Sequence, residues 1–324
     1  MPTPKTFVAA LAVSLVLSLS CLTVYAQNVK LTIATGVDPS FAAFYIAKSQ
    51  HIFEKNHLDV QLKTGPSGSA MVAFVIQNQV QSAFGAEQAG VQNFNIDPNV
   101  VLVAEGTAMN DFYGLVAKNV ASMEALKGKR IGVSRGSASE VFWQAMVKQL
   151  KLDPLDYKIV QVDPPEMIAA LERGDIDAFT SWEPWLAKAT AMIPGAKILR
   201  GQKGIMSPSV YVYMNKGWIK ENQAASERFM RSLQEANVFI ASQPQAAADS
   251  VAAFLKLDRS LTGLLMGKYT YDLQLSQRTI DSFVTIADQL KANGKLNKPV
   301  VWNDFVYPDL LKKISPEKVT YKLP

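Results

Sequence analysis

The 324 residues carry 33 Lys and Arg against 28 Asp and Glu, a net charge of +5. The basic residues form no concentrated stripe and have no interleaved stacking aromatics, which speaks against a nucleic-acid surface. One cysteine, Cys21, and two histidines, His51 and His57, leave little basis for disulfides or a metal site, and a chain of this length buries enough apolar surface without them.

The first 26 residues read as an export signal. Lys5 gives a positive start, Phe7 to Leu19 an apolar run, and Val24-Tyr25-Ala26 a cleavage point after Ala26. The run is shorter than the roughly 20 residues that a membrane span needs. Lipoprotein processing at Cys21 is the alternative, although Ser18 stands where that site wants a leucine. Cleavage after Ala26 leaves a mature, periplasmic chain without cysteine.

Beyond the signal, Leu31 to Thr35 reads as a strand and Ala42 to Phe53 as a helix, with Phe44, Ile46, Ala47 and Phe53 at near-helical spacing. Val60 to Lys63 alternates as a strand does, Ser69 to Asn78 is a helix, and Ser82 to Gly85 is a short buried strand. Val100 to Ala104 is apolar on both faces, as a central parallel strand is. A second cycle follows: strand Arg130 to Val133, helix Ser139 to Leu150, strand Lys158 to Val162, helix Pro165 to Arg173, and a buried strand starting at Ala178-Phe179. Ile198-Leu199 and Val210 to Met214 close it, and the tail is mainly helical over 224–242, 244–255, 259–267 and 276–292. This alternation predicts an α/β fold of two similar lobes, each a mostly parallel sheet flanked by helices, with a cleft between them. Residues 27–114 with 215–324 form the first lobe and 115–214 the second, with crossovers near 113–117 and 210–215.

Each half contains a Gly/Ser turn that opens a helix. The first includes Ser67, Gly68 and Ser69; the second includes Arg135, Ser137, Ala138 and Ser139. Serine caps helices, and glycine lets the backbone approach a ligand. Free N–H groups at a helix start receive an anion without needing a full positive charge. Each turn taken alone reads first as an ordinary cap; the two at matching places favour a clasp for one anion, with Arg135 as an added donor or simply solvated.

Ser181-Trp182-Glu183-Pro184-Trp185 follows the buried run Asp177 to Thr180, so Trp182 either walls a ligand or packs on its lobe. Glu183 accepts from a donor in the same place. Glu87 and Gln88 hold the matching position in the first half, where Glu87 either faces the cleft or is a solvated helix-start acid. Asp38 is placed to cap the helix after the first strand, and Phe41 offers an apolar wall. Catalysis has little support: six residues separate the histidines, and no nucleophile elbow, P-loop or dinucleotide-binding glycine pattern is present. No cofactor or metal is expected.

Leu126-Lys-Gly-Lys-Arg-Ile-Gly-Val133 with its Ser/Gly turn resembles the second-lobe opening of the nitrate/sulfonate/taurine class of periplasmic binding proteins of ABC transporters, an NMT1-like group. So does Val162-Asp-Pro-Pro-Glu-Met-Ile-Ala-Ala-Leu-Glu-Arg-Gly-Asp-Ile-Asp-Ala178, running into Trp182-Glu183-Pro184, and Ala47 to Val60 resembles the first-lobe helix and second strand. The resemblance implies a periplasmic-binding-protein fold, hinge closure of a monomer on a small organic anion such as a sulfonate, taurine or nitrate, and docking on an inner-membrane ABC permease. It departs at His51 and His57, which stand where the class has glycine, so His57 is expected in a left-handed conformation. It departs again at Glu87, a carboxylate that leaves room for an amino or heterocyclic ligand, including a pyrimidine precursor of thiamine or a flavin. Relatives that synthesise the thiamine pyrimidine carry a cysteine cluster that this chain lacks.

Overall fold

The computed structural model describes residues 28–324; the export-signal reading and Cys21 lie outside the described residues. Twelve strands are described. They are β1 (Val29–Thr35), β2 (Leu58–Thr64), β3 (Ser82–Gly85), β4 (Val100–Met109), β5 (Tyr113–Lys118) and β6 (Arg130–Val133). β7 (Lys158–Gln161), β8 (Ala178–Trp182), β9 (Ala196–Gly201), β10 (Ser209–Asn215), β11 (Tyr269–Ser276) and β12 (Val319–Thr320) complete the set. They form a seven-stranded sheet in the order β12-β11-β4-β10-β3-β1-β2 and a five-stranded sheet in the order β7-β6-β8-β5-β9.

The α/β two-lobed architecture is the one expected, and both sheets are mixed. β1 runs parallel to β2 and β3, and β6 runs parallel to β7 and β8. The expectation that Val100–Ala104 is a parallel strand is overturned: β4 is antiparallel to both β10 and β11. It is apolar on both faces because helices cover both sides, and burial of that kind carries no signature of strand direction. The lobe boundary also moves. β10 pairs with β3 and β4, so residues 209–214 belong to the first lobe rather than the second. The chain passes between lobes at 110–112 and 202–208, before the strands expected to carry the hinge. Gln202 joins the two passages: Phe112 and Tyr113 N–H groups both donate to its Oε1 at 2.8 Å, and its Nε2 donates to the Met109 carbonyl at 3.1 Å.

Phe44, Phe84 and Phe229 pack at the centre of the first lobe, Phe44 lying 4.1 Å from Phe84 and 6.0 Å from Phe229 between ring centroids. The single helix expected from Ala42 to Phe53 is two, Ala42–Ser49 and Ile52–Lys55, because His51 has φ 55° and breaks the ladder. His57 takes the left-handed conformation expected of it, also at φ 55°. The tail helices fall at Gln223–Ser242, Pro244–Leu255, Arg259–Met266 and Gln277–Ala292, with β11 in the gap between the last two. No described helix is long and apolar enough to cross a membrane.

Candidate functional site

Between the two sheets lies a cavity that opens to solvent on one side. It is built from strand ends and helix starts of both lobes. β1 delivers Gly36, Val37 and Asp38; the helix Gly68–Ile76 delivers Ser67, Gly68 and Met71; the turn after β3 delivers Gly85, Ala86 and Gln88. From the second lobe come Tyr113, Ala138, Pro165, Trp182 and Trp185, the crossover adds Phe112, and β10 of the first lobe adds Val210. Ser40, Phe41, Gly65 and Pro66 complete the first-lobe side.

Of the thirteen residues singled out from sequence, Asp38, Phe41, Ser67, Gly68, Gln88, Ala138 and Trp182 line this cavity. The other six lie elsewhere, and all but Arg135 have their side chains taken up by hydrogen bonds. Glu87 is 3 % exposed and sits behind the wall, where Tyr211 donates to it at 2.9 Å and Ser282 at 2.6 Å. Burial pushes its carboxyl above the usual range, and those two bonds oppose the rise. Glu183 is likewise turned away: its Oε2 accepts from the Ala187 N–H at 3.0 Å, and burial raises its pKa. Ser137 accepts from the Ser139 N–H and donates to the Ser134 carbonyl, while Ser139 donates to the Thr180 carbonyl at 2.6 Å. Arg135 points outward and is exposed. Ser69 donates to the Gly136 carbonyl across the cleft. The clasp expected from two facing serine turns is therefore only half present. Short hydroxyl side chains at helix starts bond nearby backbone groups, which leaves them little to offer a ligand.

Asp38 differs from all of these. It is 3 % exposed, and its Oδ1 accepts from the Ser40 N–H at 2.9 Å and from the Ser40 hydroxyl. Burial raises its pKa to about 7, with the Ser40 bonds pulling the other way. Around it stand the phenols of Tyr45, Tyr113, Tyr269 and Tyr271, all pushed well above the usual tyrosine range by burial first and by the Asp38 charge second or third.

Sequence reasoning missed Trp185, Met71, Phe112, Tyr113, Pro165 and Val210. Trp185 sits three residues past Trp182 in a motif already noticed, and Met71 lies one turn into a helix whose start was noticed. Phe112 and Tyr113 carried no signal beyond that of an ordinary strand start. The tyrosine ring meets Trp182 edge-on at 6.5 Å, and Phe112 packs 5.0 Å from it.

The lobes also touch at the rim of the cavity. Lys295 Nζ donates to Glu140 Oε2 at 2.6 Å and Asn293 donates to Gln144 at 3.1 Å, while the Gly136 N–H of the second lobe steadies the same Glu140 oxygen at 2.8 Å. With the Ser69–Gly136 bond these contacts hold the two lobes together over the cavity.

Residues 38–247 match the family model described as NMT1/THI5 like. The chain is 26% identical over 315 residues to the taurine-binding periplasmic protein of Escherichia coli K12, covering 90% of this chain and 95% of the other. Its fold superposes on the alkanesulfonate-binding protein of Xanthomonas axonopodis pv. citri bound to MOPS with TM-score 0.77 at 16% identity, over 87% of this chain and 99% of that one. The periplasmic nitrate-binding protein of Synechocystis PCC 6803 gives TM-score 0.72 at 12% identity, over 90% of this chain and 89% of that one.

Proposed function

The chain belongs to the NMT1/THI5-like family and is a solute-binding component of an ABC importer, and from that premise we propose that it closes its two lobes on a small aromatic or heterocyclic molecule. The lining carries this reading. Trp182, Trp185, Phe41, Phe112 and Tyr113 ring a cavity that, among the described residues, is lined by no Lys, Arg or His side chain. Large aromatic faces recognise a flat ring by stacking and area burial, and a few polar groups then fix its orientation. Ser67 and Gln88 are such groups here. The protein works in the periplasm, as the apolar N-terminal segment and the periplasmic relatives support, and hands its ligand to a membrane permease without chemistry.

A second reading keeps the anion. Ser67 and Gly68 open a helix on the cavity wall, and free N–H groups at such a start suit a sulfonate, as the taurine- and alkanesulfonate-binding relatives would lead one to expect. The aromatic reading is favoured because only one of the two expected serine turns reaches the cavity with its cap.

Trp182→Ala is expected to lower affinity for a ring ligand at least about tenfold while leaving the fold intact, since the indole is only partly buried. Isothermal calorimetry against aromatic and sulfonate panels checks this. Unchanged affinity for every ligand that the parent binds sinks the reading.

Lys295→Ala with Asn293→Ala removes two of the rim contacts and so favours the open form. Exposed and partly exposed contacts of this kind contribute about 0.5 kcal/mol each, so the expected combined loss is about fivefold in affinity, mostly through faster release. Stopped-flow dissociation measures it; an unaltered off-rate removes the rim contacts from the closing mechanism.

A further inference from the structure

We propose that the ligand is an organic cation: a molecule whose protonated or alkylated nitrogen pairs with Asp38 while the indole and phenyl faces enclose it. This rests on the cavity being the ligand site, and it names the chemistry of that ligand.

Among the lining residues Asp38 is the one carboxylate, and no cationic side chain lines the space opposite it. Its Oδ1 is occupied by Ser40, whereas Oδ2 has no partner among the described residues, and no salt bridge reaches the group. A buried carboxylate with neither countercharge nor a full set of donors is costly in a finished structure. A ligand that brings a positive charge into the cavity removes that cost; a sulfonate adds a second negative charge beside the first.

The walls suit the same class. The faces of Trp and Phe rings carry negative quadrupole charge and attract cations within about 6 Å, most strongly where water is excluded. The Trp185 indole already holds one cation in this way, Lys188 Nζ lying 5.1 Å from its ring centroid. The titratable groups facing Asp38 are the phenols of Tyr45, Tyr113, Tyr269 and Tyr271, which stay neutral; Glu183 adds negative charge beside Tyr269, and Lys268 acts on Glu183. None of these supplies the missing countercharge. Because burial holds Asp38 near pH 7 in the empty protein, a cation binds best above that pH, where the carboxylate is ionised.

Three probes sharing one ring separate the possibilities: benzylammonium, benzyl alcohol and benzenesulfonate, titrated into the chain at pH 6 and pH 8 and followed by ligand-observed NMR and tryptophan fluorescence. Benzylammonium is expected to bind at least tenfold more tightly than the alcohol at pH 8. That advantage should shrink about tenfold at pH 6, where Asp38 is mostly protonated. Asp38→Asn is expected to erase both the preference and its pH dependence. Benzenesulfonate binding as tightly as benzylammonium in the parent chain overturns the cation inference and leaves the aromatic cavity standing. Failure of all three probes to bind overturns the cavity reading with it. The parent-chain comparison decides the matter even if the variant folds poorly.

Discussion

At pH 8 and without ligand, Asp38→Asn is expected to unfold at a higher temperature than the parent chain, and at pH 4 the two should unfold together. The reason is linkage. The carboxyl ionises near its ordinary value of 3.8 in the unfolded chain and at about 7 in the native one. Well below pH 3.8 both states hold the proton and the residue contributes no difference, and at pH 4 the difference is still small beside that at pH 8. As the pH rises from 4 to 7 the unfolded chain releases its proton while the native chain keeps it, so parent stability falls; above 7 the loss is complete. At roughly 1.4 kcal/mol per unit, the ceiling is about 4 kcal/mol, or a gap of several degrees in Tm for a protein of this size. Asparagine keeps the shape and cannot ionise. Glu87 and Glu183 are also raised by burial, but they titrate in both proteins and cancel in the difference. Thermal unfolding at half-unit steps from pH 4 to 8 measures the gap. Parallel curves mean that Asp38 is solvated or paired, and the cation inference loses its footing.

Gly90→Ala is expected to destabilise the protein by about 3 kcal/mol, although alanine is the better helix former by about 1 kcal/mol. Gly90 lies in the helix Glu87–Ile96, where an added Cβ would fall 2.2 Å from a ring carbon of Tyr213 and 2.6 Å from its hydroxyl oxygen. That ring has nowhere to go. It is fully buried, 6.4 Å from Phe305 and 6.5 Å from Phe283, and its hydroxyl donates to the Ala86 carbonyl at 3.0 Å. Because Ala86 and Gln88 line the cavity, relief of the clash by a shift of this helix also weakens ligand binding. Gly263→Ala is the control: its nearest neighbour would be the Ala248 Cβ at 3.9 Å, so a neutral or slightly stabilising effect is expected. A Tm for Gly90→Ala equal to that of the parent would mean that the helix moves freely against β10.

Two buried carboxylates of the first lobe, Glu87 and Glu105, illustrate how far sequence reasoning reaches. Glu87 follows a buried strand end and looks like a cleft residue, yet Tyr211 and Ser282, 124 and 195 positions away, draw it behind the wall. Nearby, Glu105 is fully buried and accepts from Arg278, from Thr279 at 2.6 Å and from Ser209 at 2.8 Å. These networks join β4 and β10 to the helix Gln277–Ala292, and no local pattern announces partners so distant. Trp182 was legible because a tryptophan at a strand end, before a proline, has few places to go.

By itself the sequence determined the element types, the two-lobed α/β layout, the left-handed His57 and the family, because periodicity, capping and turn chemistry act over a few residues and leave local marks. Only the tertiary structure decided the strand directions, the position of the hinge, the retreat of Glu87 and Glu183 from the cavity, and the isolation of Asp38. Those outcomes depend on which distant side chains arrive to satisfy or abandon a buried polar group. Burial free energy is a property of the assembled surroundings, and the chain does not carry it residue by residue.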